Sequence, residues 1–244
     1  MENMVRNYEE QGLYANDAVS EYYCFREAME EILYRLYNEP QKDLRIAQID
    51  YAEMYFQYGS LLIEMNRLED AANALEKAKR WNPSSAKIVF EYAETFKMRG
   101  MIKEFGEITR SVFKYAFRPA DLARCYRNMA FYFVENEEYK VAVCCLLYSI
   151  QFEKSEMVSS ELYYISQKTG EIYNPSEDEL KKHFKTHGIP TGPEVEMLKS
   201  AYAYGMHFHD HGDDDNAVYF FEIFAAFIKD EEVNKILEEI AAKK

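Results

Sequence analysis

The chain has 244 residues, 48% of them hydrophobic, enough for one ordinary domain or one short array of repeats. Only 9 Gly and 6 Pro leave few breakers for a fold of short strands and tight turns, so helix is the prior. With 29 basic against 43 acidic residues the net charge is −14, a field that repels phosphate backbones and argues against nucleic acid as the main partner.

The opening residues, Met1 to Glu10, hold no apolar run of the kind that heads a secretory signal. The longest apolar stretch, Val141 to Leu147, is far short of the roughly 20 residues that span a bilayer. A cytoplasmic chain with no membrane attachment is expected. Cys24, Cys125, Cys144 and Cys145 lack the spacing of a disulfide framework and read as buried, reduced thiols.

In chain order, the first expected element is a long helix N-capped by Asp17 and followed by Pro40. Its stripe, Ala18, Tyr22, Phe25, Met29, Ile32 and Leu36, steps by four and three along one face. Such a stripe serves either as a cap on the neighbouring helices or as a dimer seam of coiled-coil type.

A hairpin pattern comes next. Tyr55, Tyr58, Gly59 and Leu62 set large, large, small and large groups on a first helix. After a turn at Glu64–Arg67, Ala71, Leu75 and Ala78 lie on a second helix, and Pro83 closes the unit. The small residues let two antiparallel helices approach, and the bulky ones fill the gap to the next pair. The pattern then returns: Val89, Tyr92, Ala93 and Phe96 repeat it, with Ala93 34 residues after Gly59. Gly100 marks the following turn, and Pro119 closes that unit late. Tyr126, Met129, Ala130 and Phe133 follow, with Tyr139, Ala142 and Leu146 on the second helix. The last copy is Ala201, Tyr204, Gly205, Phe208, Gly212, Ala217 and Phe221. The gap before it is about two periods, so an eroded hairpin is expected at 157–197, with Leu162, Ile165 and Ser166 on one helix, Leu180 and Phe184 on the other, and Gly188 to Pro193 as its exit loop.

This recurrence resembles the tetratricopeptide repeat pattern W-x2-L-G-x2-Y…A-x3-F…P over residues 52–231. The resemblance implies an all-α fold, an α–α superhelix that forms a right-handed solenoid of helix hairpins with terminal capping helices. The expected organisation is an N-terminal helical cap at 1–51, then repeats at 52–85, 86–122, 123–156, 157–197 (degenerate) and 198–231. A capping helix at 232–244 carries Val233, Ile236, Leu237 and Ile240 on one face.

In the family the first helix of each hairpin lines a concave groove. Carried over by position, the groove-facing residues are Glu53, Phe56, Ser60 and Glu64, then Lys87, Phe90, Glu94 and Lys97. Arg124, Arg127, Phe131 and Val134 follow, and Tyr202, Met206 and His209 belong to the last copy. Arg124 and Arg127 are three apart and share a helix face, giving a basic centre among aromatics. An extended peptide with acidic and apolar side chains suits that surface. The alternative is ordinary packing of the phenylalanines and local pairing of the arginines. The Lys/Asn clamp by which some relatives hold chaperone tails is incomplete, because Phe56, Ser60 and Glu91 stand in its places and only Arg124 and Asn128 fit in part.

His207, His211 and Asp214 are weak metal candidates, and His183 and His187 are also four apart. Asp213–Asp215 read more simply as caps of the next helix. No phosphate loop, G-x-S-x-G or H-E-x-x-H motif is present, so neither an enzyme nor a cofactor is expected. The sequence therefore points to a non-enzymatic scaffold that binds a protein or peptide. Alternatives are a structural homo-oligomer and the sensory part of a peptide-responsive regulator.

Overall fold

The computed structural model describes residues 10–12 and 14–243. The expectation that rests on Met1 to Glu9 lies outside the described residues. The chain divides into two compact units, Met1–Tyr115 and Ala116–Lys244. The all-α class and the tetratricopeptide-like hairpins expected from the sequence are what the structure has, with one small sheet added. Among the described residues no helix is long and apolar enough to cross a membrane.

In the first unit the described elements begin with strand β1 (Ser20–Tyr23), helix α1 (Ala28–Asn38) and strand β2 (Asp43–Ile46), with β1 and β2 paired in parallel. Two hairpins follow: α2 (Tyr51–Glu64) with α3 (Leu68–Trp81), and α4 (Ala86–Met98) with α5 (Ile102–Val112). Asp50 starts α2 by accepting a hydrogen bond from Glu53 N. Asn66, at φ 57, turns the chain back through the left-handed region. On α3 the buried face is Ala71, Ala72, Ala74, Leu75, Ala78 and Trp81, so small residues let α2 lie close while Trp81 closes the end. Trp81 stacks on Tyr51 at 4.7 Å, a pairing worth about 0.5–1.5 kcal/mol beyond the area it buries.

The opening segment departs from the expected long helix. Residues 20–23 are strand, and α1 begins only at Ala28, behind a capping box between Glu27 and Glu30. The reason lies in Tyr22, Tyr23, Cys24 and Phe25, four consecutive apolar or aromatic side chains that a one-faced helix cannot bury and that strand pairing can. The N-terminal cap is thus a β–α–β element, not purely helical. Met29 and Leu33 are fully buried within the chain, so the stripe is not free to serve as a dimer seam. Buried polar bonds fix this element to the first hairpin. Asn82 Nδ2 donates to Cys24 O at 3.1 Å and to Glu30 Oε2 at 2.8 Å, and Cys24 N donates to Trp81 O at 2.8 Å.

The second unit begins with the hairpin of α6 (Pro119–Glu135) and α7 (Tyr139–Ser149) and ends with that of α10 (Val195–Asp210) and α11 (Asp214–Ala225). Pro119 stands in the first turn of α6 and opens that helix, where its missing N–H costs nothing; it does not close the preceding unit. Asp213 caps α11 through Asn216 N, as its position in the acidic run suggested. Helix α12 (Glu231–Ala242) lays Val233, Ile236 and Ile240 on Ala217 and Phe221.

Between these hairpins lie α8 (Glu156–Thr169) and α9 (Glu177–His187). They do not form the expected eroded hairpin: each packs chiefly on α7. Helix α8 buries only Val158 and Ile165, and α9 only Phe184, too little apolar surface to hold the two together. Phe184 instead stacks on Tyr126 at 5.8 Å. Tyr126 also fixes the loop before α10, donating its hydroxyl to Pro190 O at 2.9 Å and accepting from Gly192 N at 2.9 Å.

Candidate functional site

In the first unit α2 and α4 touch, which brings three of the groove candidates together. Phe56 is half-buried against the cluster that contains Tyr51, Tyr55 and Trp81. Lys87 Nζ lies over its ring, 4.0 Å from the centroid, a cation–π contact. The same Nζ is 3.7 Å from Glu53, which also accepts from Arg26 Nη1 at 2.8 Å. Glu53 is mostly buried while Arg26 and Lys87 are more than half exposed, so this face presents two cations beside an aromatic ring. Sequence reasoning missed Arg26, which reaches Glu53 from outside the repeats.

Two candidates on these helices are otherwise engaged. Phe90 is 1% exposed and belongs to the core, so it is not a groove residue. Helix α4 is packed by α2, α3 and α5, and so it buries Ile88, Val89 and Phe90 in succession, more than one face. Ser60 turns its hydroxyl back onto its own helix, donating to Phe56 O at 2.9 Å. Glu94 and Lys97 stay half-exposed and pair with each other at 3.2 Å.

In the second unit α6 carries Arg124, Arg127, Asn128 and Phe131 along one face, all half-buried. Arg127 Nη2 donates to Glu153 at 2.8 Å. Its other terminal nitrogen, Nη1, and the Asn128 amide nitrogen are both buried with no hydrogen-bond partner among the described residues. Tyr202 on α10 lies against Phe224, with ring centroids 5.4 Å apart, in the cluster that α12 helps to form. The charge of Glu232, with burial second, holds its hydroxyl above the usual tyrosine range. The last helix therefore reaches the Tyr202 position.

The histidines separate into two groups. His207 and His211 face each other with ring centroids 4.4 Å apart, while Asp214 binds Lys243 at 3.1 Å. Among the described residues no group of three or more His, Cys, Asp or Glu is placed to hold a metal ion. His187 Nε2 lies 2.9 Å from Glu138 Oε2, and its Nδ1 lies 2.8 Å from His183 O. These groups, with Lys140, Thr169 and Glu171, line a cavity of about 370 Å³. Burial, then the charge of His187, holds His183 below the usual histidine range. All four cysteines are free and buried, and burial pushes the Cys144 thiol up to about 11, which keeps it unreactive.

No protein-family model matches the chain, and no curated protein matches it. Two solved structures are similar to it. The Pseudomonas aeruginosa pilF structure is 18% identical over 80% of this chain and 88% of its own, with a TM-score of 0.42. YrrB, a TPR protein with an unusual peptide-binding site, is 15% identical over 89% of this chain and 99% of its own, also with a TM-score of 0.42. At that score the likeness adds nothing about a site, which rests on the residues described above.

Proposed function

We propose that the chain is a non-enzymatic scaffold that binds an extended peptide segment of a partner protein on the first-helix faces of its hairpins. Acidic groups of the peptide meet the arginines of α6, and apolar side chains meet the half-buried aromatics. One observation supports this reading most. Arg127 Nη1 and the Asn128 amide are buried donors without acceptors, on the face they share with Arg124 and Phe131. A buried unsatisfied donor costs about 1–3 kcal/mol, which an arriving carboxylate or peptide carbonyl recovers. Arginine beside an aromatic is also the composition that dominates binding hot spots. In the other unit Phe56, Lys87 and Arg26 offer the same pairing of ring and cation.

Selection of peptides from a random displayed library on the purified chain tests the reading. Enriched peptides should combine Asp or Glu with apolar residues, and the Arg124→Glu/Arg127→Glu variant should lose them while keeping its helical spectrum. Absence of enrichment, or enrichment indifferent to that variant, contradicts it.

A further inference from the structure

Among the described residues, the β–α–β element has one edge of its sheet closed and the other open. With Ser20 opposite Asp43 and Tyr22 opposite Arg45, the odd-numbered residues of β2 turn their backbone groups towards β1. Asp43 N donates to Val19 O at 2.9 Å and Ala47 N to Tyr23 O at 2.8 Å. Alternation then turns the N–H and C=O groups of Leu44 and Ile46 away from β1. On β1 the outward N–H groups are all taken. Ser20 N donates to Asp17 Oδ1 at 2.7 Å, Tyr22 N to Asn16 Oδ1 at 3.0 Å and Cys24 N to Trp81 O at 2.8 Å. On β2 no such capping bond reaches Leu44 or Ile46 among the described residues. Ile46 is 51% exposed there. An open edge of this kind is a template for another strand.

We propose that β2 pairs with β2 of a second copy, antiparallel about a two-fold axis at Leu44, to make a four-stranded sheet. The backbone requires even-numbered residues of β2 to pair with each other, and among those registers the charges select one. Outward-facing Leu44 exchanges both backbone hydrogen bonds with Leu44 of the second copy. That places Asp43 opposite Arg45 of the second copy, and Arg45 opposite its Asp43, at the non-hydrogen-bonded pairs where side chains approach most closely. Asp43 and Arg45 are 60% and 52% exposed and 3.1 Å apart within one strand, so four charges of alternating sign meet across the axis. A register centred on Asp43 or Arg45 makes that residue a non-hydrogen-bonded pair with its own copy and so sets like charges directly opposite each other. One centred on Ile46 sets Arg45 opposite Ala47 and loses the charge match. Self-complementarity about Leu44 is what an isologous contact requires. This dimer is independent of the peptide-binding reading.

Sedimentation velocity on the full chain over a range of concentrations tests it, with amide exchange at Leu44 and Ile46 as a second readout. A monomer–dimer equilibrium is expected, with both amides more protected at high concentration. Arg45→Asp and Asp43→Arg alone each set like charges opposite each other twice and should weaken the dimer by on the order of tenfold. The double exchange, Asp43→Arg with Arg45→Asp, should restore it. Circular dichroism of each variant confirms that the fold is kept. A monomer at every concentration overturns the proposal. So does a dimer indifferent to the single reversals, one not recovered by the double exchange, or exchange at Leu44 and Ile46 that does not vary with concentration.

Discussion

Leu75 fills the space that a side chain at Gly59 would need. A Cβ placed on Gly59 falls 2.5 Å from Leu75 Cγ, and one placed on Gly205 falls 2.6 Å from Phe221 Cδ1. Both partners stand sixteen residues after their glycine, in hairpins of different units. The small residue of the first helix is therefore fixed by one bulky side chain of the second. At the equivalent places the other hairpins carry alanine, Ala93 and Ala130, both fully buried.

Gly59→Ala should destabilise the chain. Overpacking a tight core costs about 1–3 kcal/mol and alanine returns about 1 kcal/mol of helix propensity, so a net loss of up to about 2 kcal/mol is expected. Combined with Leu75→Ala, the cost should fall below the sum of the two single changes, because the new methyl enters the space that Leu75 vacates. Urea unfolding of the four proteins measures this.

Asn82→Ala should loosen the β–α–β element from the first hairpin. It removes the donor to Cys24 O and to the buried Glu30 carboxylate, a loss of about 2–4 kcal/mol for hydrogen bonds that include a charged acceptor. The single tryptophan, Trp81, is buried beside these groups. Its fluorescence should shift to the red and lose intensity at lower denaturant than in the unaltered chain.

Tyr126→Phe keeps the aromatic stack and deletes the hydroxyl that holds Pro190 O and Gly192 N. A loss of about 1–2 kcal/mol is expected, confined to the loop before α10. Amide exchange at Gly192 should speed up while the amides of α6 and α7 keep their protection.

His183 makes the second unit sensitive to acid. Its folded-state pKa lies below the unfolded value, so the unfolded chain binds more protons across the interval between them. The stability it contributes is present above the unfolded histidine value, near 6.5, and is lost as pH falls through the lowered folded value. The melting temperature of His183→Asn should fall less than that of the unaltered chain between neutral pH and the acid side of the histidine range. Parallel curves for the two proteins contradict the role given to His183.

Most of the hairpin architecture was legible because the contact at its heart is written as residue size at fixed spacing. Gly59, Ala93, Ala130 and Gly205 mark four first helices, and the bulky neighbours follow from them. What the sequence hid depends on contacts between distant segments. Helices α8 and α9 bury only Val158, Ile165 and Phe184 between them, so periodicity placed each helix but not its partner. The opening stripe fitted helical spacing over Met29 to Leu36, yet four consecutive apolar groups at Tyr22–Phe25 and the alternation of Asp43-Leu-Arg-Ile46 were strand signals. Phe90 took a groove position by register, but α4 is enclosed by three helices and buries it. The pairing of Arg127 with Glu153, and of Arg26 with Glu53, joins residues 26 and 27 positions apart, beyond the reach of any local pattern.

A photo-crosslinking amino acid placed at 131, on the half-buried face of α6, and at 163, on the exposed face of α8, tests the binding face most directly. With a library-selected acidic peptide bound, irradiation should join the peptide to position 131 and leave position 163 unlabelled. Equal labelling of the two positions, or labelling of 163 alone, would contradict binding on the first-helix face.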